Sequence, residues 1–575
     1  MNTFKYIKTI IIGLLASGLL FTSCLDDLDQ EKPNNSNVDD VINEEGAKSF
    51  LAKIYSGFGL SSNVGGTDEE PDLDIDGIDQ GSLVFLRGMF NMQELPTDEA
   101  IWNWTDEGIV ELVNVNWDYT TNYSYTFYQR VMLNIRYCRA YLDMYEASSD
   151  IPNVELYRNE VRALRALNYY YLIDIYGNPG IVWDDSPIDD ASWYPTPIGR
   201  AALFDLLVKE LIDLSENSNL PEQTNMSTYG KMTKPVVWMI LAKLYLNAEV
   251  YTGTPMYNEA AQYCQKLLNA GFGLEDNYVN LFCGENHLSP LRGNEIIFGI
   301  PFDADNARSN GGTIMLSVGA SGGALNGNWF CNSNAGWTCM KPKETLVHKF
   351  DYASDAGEDR FKSNVKEDQR YLFFDILSYK PDASVDATWP FDPVTGITQY
   401  EVNERRAIET KLSDWDAGYL CRKFTNLGWD EAKVSTTLFP NTDFPLFRLA
   451  DVYLMYAECA VRGATSANTA TAVGLINDLR ERAFGNTSTG QISSADLTLD
   501  FILDERAREL YWEGHRRTDL IRFGKFTQGY AWPYKGGVRE GIANINSKYN
   551  LYPFSDKDLT SNPMLGQNEG YKSLK

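Results

Sequence analysis

The sequence predicts a mainly α fold, a scaffold of helical hairpins with a loop-rich ligand-binding module packed against it. Three observations carry that reading. Apolar residues recur at helical spacing over about 122–272 and again over about 447–524. Short turns marked by Gly, or by Thr and Pro, separate these stretches and join the helices in pairs. Over about 274–446 Gly, Asn, Asp and Trp dominate and the helical stripes disappear. A long irregular segment in a compact protein usually carries function.

Bulk composition limits the possible functions. Hydrophobic residues make up 44% and charged residues 22% of 575 positions, an ordinary globular balance with ample material for a core. The formal net charge of −29 repels a phosphate backbone and argues against a nucleic-acid partner. Three His, at 287, 348 and 515, are too few for a hydrolytic metal centre built on several imidazoles. The eight Cys form no CxxC pair, so neither a zinc ribbon nor a thioredoxin-type site is signalled. Cys331 and Cys339 are close enough for a loop disulfide, although spacing alone does not establish one. Aromatics at 13% can fill a core and can also build sugar-stacking surfaces.

The chain opens with a leader. Lys5 and Lys8 precede an apolar run over 10–20, then Phe21-Thr22-Ser23-Cys24. A basic start, a short apolar core and small residues before the cut predict a secretory signal over 1–23. The run is too short to span a bilayer comfortably. Cys after small residues resembles a bacterial lipobox, which makes Cys24 the lipid-modified first residue. Residues 24–43, acidic at Asp26, Asp27 and Asp29 and then polar, read as a flexible tether to a single domain over 44–575.

Residues 44–58 predict a short helix. Residues 59–81 are a Gly- and Asp-rich loop, and Asp72, Asp74 and Asp76 lack the later Glu of an EF-hand. Together, 59–121 is assigned to the loop-rich region. Within it, 92–108 holds Asp98, Glu99, Trp102, Trp104 and Glu107. On a strand Trp102 and Trp104 would share a face. That face is either a sugar platform or a pair of core tryptophans, and the residues alone leave both open.

Helices follow over 122–147 and 154–176. The second has a stripe of Tyr157, Val161, Leu164, Leu167, Tyr171 and Ile175, with Gly177 as its stop. Further helices are expected over 200–215, from Thr233 and Pro235 to about 250, and over 257–270. A last group covers 448–462, 471–484 and 498–524. Repeated helix hairpins are the signature of a TPR-like superhelix, although these repeats are degenerate. In 295–302, EIIFGIPF reads as a strand.

Three clusters invite chemistry. Gly319-Ala320-Ser321-Gly322-Gly323 fits G-x-S-x-G, with His348 and His515 downstream. A nucleophile elbow needs a strand before the Ser and a helix directly after it, whereas ALNGNWF reads as loop. A glycoside hydrolase needs two carboxylates facing across a groove, and Asp98 and Glu99 are adjacent in sequence. In 500–524, Glu505, Glu509, Glu513 and His515 form either an acid–base cluster or a salt-bridged structural helix. Acids and arginines alternating at three- and four-residue spacings favour the latter. Trp329, Phe330 and Trp337 lie in an Asn/Gly loop, where aromatics have no periodic reason to be core and point to binding.

Several stretches carry a family resemblance. ERARELYWEGHRRTDLIRFG at 505–524, EVRALRALNYYYLIDIYGNPG at 160–180, FLAKIYSGF at 50–58, the ELPTDE segment at 94–99 with its Trp, and the close at 550–571 resemble the SusD/RagB family of outer-membrane, nutrient-binding lipoproteins. The resemblance implies a TPR-like scaffold, a glycan ligand and no catalysis or cofactor. It also implies a lipid anchor at Cys24 in the outer membrane, with the acids after it resembling a surface-export signal, and delivery of glycan to a SusC-like TonB-dependent transporter.

The motifs are most similar to those of the family's starch-binding member, where two Trp and a Tyr form an arc. Trp104 and Trp337 match the Trp positions, with Trp102 beside them, and Arg87 in FLRGMF matches an Arg that bonds sugar hydroxyls. The Tyr position falls at Asn310 and an Asn position at Glu107. A family calcium site would fall at His287, Asn441 and Asp443. Calcium prefers several carboxylates, so that site is expected to be lost or weakened, with no metal bound. A starch-like α-glucan leads among ligands. The alternatives are a surface glycoside hydrolase and a TPR-type interaction scaffold without a sugar site.

Overall fold

Helix α1, Glu44–Ser56, starts where Asn43 accepts a hydrogen bond from Gly46 N at 2.9 Å, with Glu44 and Glu45 at the positive end of the dipole. The computed structural model describes residues 41–572 apart from 63–72, 148–149, 188–189, 322–330, 334, 351–367, 376–379, 382–399, 402–417, 433 and 436. The leader, Cys24, Asp26, Asp27 and Asp29, and most of the tether therefore lie outside the described residues, as do Asp72, Gly322, Gly323, Trp329 and Phe330.

After α1 come α2 Phe85–Glu94, the short strand β1 Ala100–Trp102 and α3 Ile109–Asn114. Two helices and a short strand, not singled out in the sequence, thus lie within the region read as loop-rich over 59–121. Every residue of α2 is buried, so no polar face betrays its period in the sequence. The stacked helices then run α4 Asn122–Met144, α5 Val154–Ile175, α6 Arg200–Asn217, α7 Lys234–Leu246, α8 Ala248–Thr252 and α9 Tyr257–Leu268. Pro235 sits in the first turn of α7, where its missing N–H costs nothing. Gly177, at φ 75°, turns the chain after α5 in a conformation that penalises a Cβ.

The second half begins with β2 Ile296–Ile300, α10 Ile314–Ser317, β3 Met340–Pro342 and α11 Glu344–His348. Strands β4 Phe373–Asp375, β5 Lys380–Pro381, β6 Tyr400–Glu401, β7 Tyr419–Cys421 and β8 Phe444–Arg448 follow. The chain then returns to helix with α12 Leu449–Val461, α13 Thr469–Phe484, α14 Leu499–Leu510, α15 Arg516–Arg522 and α16 Asp556–Ser561. Among the described residues the strands form only two-stranded antiparallel ladders, β1 with β3, β2 with β8, β4 with β7 and β5 with β6.

The fold is mainly helical and TPR-like. Helix α4 packs on α5, α5 on α6, α6 on α7, α7 on α9, and α9 on α12, which carries α13 and α14. One hydrophobic core runs through all of them, from Ala47 to Leu565.

The helix expected over 498–524 is broken. Tyr511 leaves α14, Trp512 has φ 63° and Gly514 φ 80°, and α15 starts afresh at Arg516. The cause is a buried acid on α2. Glu94 Oε1 accepts the N–H of Gly514 at 2.6 Å and of His515 at 3.0 Å, groups that a continuous helix would spend internally. The ion pairs of this stretch are also mostly not along the helix. Glu505 meets Arg370 and Arg480, and Glu509 meets Arg370, Arg448 and Arg482. Glu513 meets Lys423 and Arg448, and Arg506 meets Asp451 and Asp519. Only Arg508–Glu505 and Arg522–Asp519 follow the three-residue spacing within this stretch.

These groups are buried. Despite burial, the surrounding arginines hold the Glu509 carboxyl down to about 2, while burial and Lys243 push His515 down to about 3. This is tertiary cross-bracing between helices, and each carboxylate is already committed to a cation.

Candidate functional site

The antiparallel pairing of β1 with β3 sets Trp102 opposite Met340. One residue further, Asn103 N donates to Cys339 O at 2.6 Å. The ladder therefore delivers Trp104, just past β1, beside Trp337, just before β3. Their ring centroids are 5.9 Å apart and the planes are inclined by 39°. Both rings are half-buried and pack against the core.

Trp102 is different. It is 2% exposed and meets Trp104 edge-on, with centroids 5.9 Å apart at 89°. A stacking face shared by Trp102 and Trp104 is thus corrected. The strand ends at Trp102, the chain turns, and Trp102 becomes the floor beneath Trp104.

Arg87 on α2 lies against the Trp102 ring. Its guanidinium is 5.1 Å from the Trp102 ring and donates from Nη2 to Asp106 Oδ2 at 3.0 Å. Burial opposes its charge, but Tyr123, Asp106 and Asp79 hold its pKa above that of an ordinary arginine. A Cβ at Gly81 would fall 2.9 Å from Arg87 Nη1 and 3.4 Å from Asn310 Cβ, so Arg87 and Asn310 flank one glycine. Glu107 is exposed on the turn before α3, one residue beyond the acid that pairs with Arg87. Asp106 was not singled out in the sequence, although a buried arginine calls for a nearby acid.

Asp98 and Glu99 do not border this surface. They are 0% and 1% exposed and turn inward, Asp98 to Arg516 and Tyr530, Glu99 to the backbone N–H of Trp512. Burial pushes the Glu99 carboxyl up to about 7.

The G-x-S-x-G reading has no support in its described part. Ile314–Ser317 is a helical turn where an elbow needs a strand. Ser321 is fully buried and donates to Val318 O at 3.1 Å. His348 sits beside Glu344 at 3.0 Å on the surface, and His515 lies 3.4 Å from Lys243 Nζ. Cys331 and Cys339 are both buried and no disulfide joins them.

At the calcium positions, Asn441 accepts from Ala304 N at 2.8 Å and Asp443 from Phe302 N at 2.8 Å, while His287 is exposed. Among the described residues no three His, Cys, Asp or Glu gather as a metal site.

A family model described as the SusD family matches residues 294–571. Starch-binding protein SusD of Bacteroides thetaiotaomicron is 32% identical over 593 aligned positions, covering 99% of this chain and 100% of that protein. The chain belongs to the SusD family. Its fold agrees with solved SusD-family structures. A SusD superfamily protein from Parabacteroides distasonis superposes with a TM-score of 0.64 at 19% identity, covering 92% of this chain and 99% of that one. Surface glycan-binding protein A from Bacteroides thetaiotaomicron, in complex with laminarihexaose, gives 0.63 at 17% identity over 92% and 99%.

Proposed function

We propose that this SusD-family protein is a cell-surface glycan-binding lipoprotein that captures an oligo- or polysaccharide, a starch-like α-glucan first among them. It would be anchored in the outer membrane through Cys24 and pass its ligand to a SusC-like TonB-dependent transporter. The observation that carries the reading is the Trp104–Trp337 pair, two half-buried rings inclined by 39° over the buried Trp102. Aromatic faces cover the apolar faces of pyranose rings. Two inclined faces suit a bent chain better than a flat ribbon. Arg87 and Asp106 beside them offer a donor and an acceptor for hydroxyls, and Asn310 and Glu107 border the same region. Binding here breaks no bond: Asp106 is paired with Arg87, and Asp98 and Glu99 are turned into the core.

The starch preference draws support from the starch-binding relative of full length. A solved neighbour carries laminarihexaose, so laminarin is the necessary comparison. The test is electrophoresis through native gels containing amylopectin, laminarin or xylan. Retardation by amylopectin that is lost in Trp104→Ala and Trp337→Ala is the expected result. Retardation by laminarin alone would replace the α-glucan, and release of reducing sugar by the pure protein would overturn the non-catalytic reading. Anchoring is read by detergent partition of wild type against Cys24→Ala in cells, and delivery by co-purification of a TonB-dependent transporter.

A further inference from the structure

The residue after Trp337 is in a conformation its side chain disfavours. Thr338 has φ 54°, in the left-handed region, and is 5% exposed. A β-branched residue there is an outlier, and such strain persists only where surrounding contacts over-determine it.

Those contacts are present. Trp337 N donates to Val318 O at 2.9 Å, Thr338 N to Ser321 O at 2.7 Å, and Cys339 N and Met340 N both to Gly319 O at 2.9 Å. Four successive N–H groups thus latch onto the turn over 318–321. From the other side Asn103 N takes Cys339 O at 2.6 Å. Thr338 Oγ1 lies 3.4 Å from Ser321 O, so the side chain adds its own peg to the latch. A glycine would adopt this φ without strain and keep the four N–H bonds, but it would lose the Oγ1 peg on Ser321 O and open backbone conformations that a Cβ forbids.

We propose that Thr338 is a positioning residue for glycan binding, a strained and buried peg that fixes the tilt of Trp337 against Trp104. The proposal rests on the Trp104–Trp337 platform reading above. It adds that part of the affinity comes from holding the two rings in one arrangement before the sugar arrives, which lowers the ordering cost of binding.

The test compares wild type, Thr338→Gly, Thr338→Asn and Trp337→Ala by thermal melting, near-UV circular dichroism and retardation in amylopectin gels. The wild-type spectrum minus that of Trp337→Ala isolates the signal of the coupled Trp pair. Thr338→Gly should melt at or above wild type, lose most of that signal and bind about tenfold more weakly, the scale of one aromatic contact. Thr338→Asn, which tolerates the left-handed region and keeps a polar group near Ser321, should retain signal and affinity. A Thr338→Gly protein with wild-type signal and wild-type retardation would overturn the proposal. So would loss of signal only in step with a lower melting temperature. If Trp337→Ala also binds normally, the platform reading itself fails. If it does not bind while Thr338→Gly does, only the role of Thr338 falls. The Trp signal reads the geometry without any ligand, so the positioning claim is decided whichever glycan is bound.

Discussion

Arg516 grips Asp98 with two parallel hydrogen bonds, Nε to Oδ1 at 2.6 Å and Nη2 to Oδ2 at 2.8 Å, and both side chains are at most 1% exposed. The bond ties α15 to the segment that runs into β1 and Trp104. Helix α15 is therefore a brace for the segment that carries Trp104. Burial opposes ionisation of Asp98, yet Arg516 and Lys349 hold its carboxyl well below the usual range. Removing either partner strands a buried charge. Asp98→Asn or Arg516→Ala should cost about 3–5 kcal/mol, read as a lower urea midpoint at unchanged slope. Replacing both by apolar residues of similar volume should recover most of the loss. Equal stability of the single variants and wild type would contradict the bracing role.

Trp102 and Trp104 should separate stability from binding. Trp102→Ala opens a cavity in the core and should cost about 3–5 kcal/mol. Trp104→Ala, from a half-buried site, should cost less in stability and reduce glycan affinity tenfold or more, by the roughly 1.4 kcal/mol that corresponds to tenfold. Calorimetric titration beside thermal melts distinguishes the two. A binding loss confined to Trp102→Ala would invert the assignment of floor and face.

Asp106 and Glu107 differ in what they hold. Asp106 orients Arg87, whereas Glu107 is exposed. Asp106→Asn should weaken glycan binding by a few-fold, and Glu107→Gln should leave it within twofold of wild type. The Asp106 side chain is 39% exposed, so its pair with Arg87 contributes no more than about 1 kcal/mol to stability. Dissociation constants for the two variants, measured at one salt concentration, decide the ranking.

Asp443 makes stability depend on pH. Burial raises its carboxyl from 3.8 to about 7, against the bond from Phe302 N and the nearby Tyr229, with Asp303 adding repulsion. The folded state thus keeps a proton that the unfolded chain releases near pH 4. Its contribution is fully present below that pH and is lost as pH rises toward 7, by up to about 4 kcal/mol at roughly 1.4 per unit. Asp443→Asn mimics the protonated acid and should flatten the fall in stability between pH 4 and 7. Urea midpoints for the two proteins across that range should diverge with rising pH. Parallel curves would mean that Asp443 does not titrate there.

The helical half was legible because its evidence is local. Stripes such as Val161, Leu164 and Leu167, and stops such as Gly177, need no knowledge of the rest of the chain. Helix α2 was hidden because it is buried on every side, and periodicity requires a polar face to contrast with. The break at Trp512–Gly514 was hidden because its cause, Glu94, lies on a different helix. At the candidate site, an aromatic in an Asn/Gly loop pointed to Trp337, while Trp104 and Arg87 were reached through the family resemblance. Which Trp faces outward and which acid meets Arg87 depended on where β1 stops, and three residues of strand carry too little pattern to show it.

The β1–β3 ladder joins two parts of the chain that are far apart in sequence, and both rings of the platform depend on it. Long-range pairings of this kind form late, because the intervening chain must be gathered before the contact repays its closure. The hairpins from α4 to α9 can assemble from neighbours, whereas the β1–β3 pairing, like the packing of α9 on α12, must wait for distant residues to arrive and dock. A chain interrupted in synthesis or nicked between the two strands would keep helices and lose its grip on sugar. Retention on a polysaccharide column would then double as a check that β1 and β3 have paired.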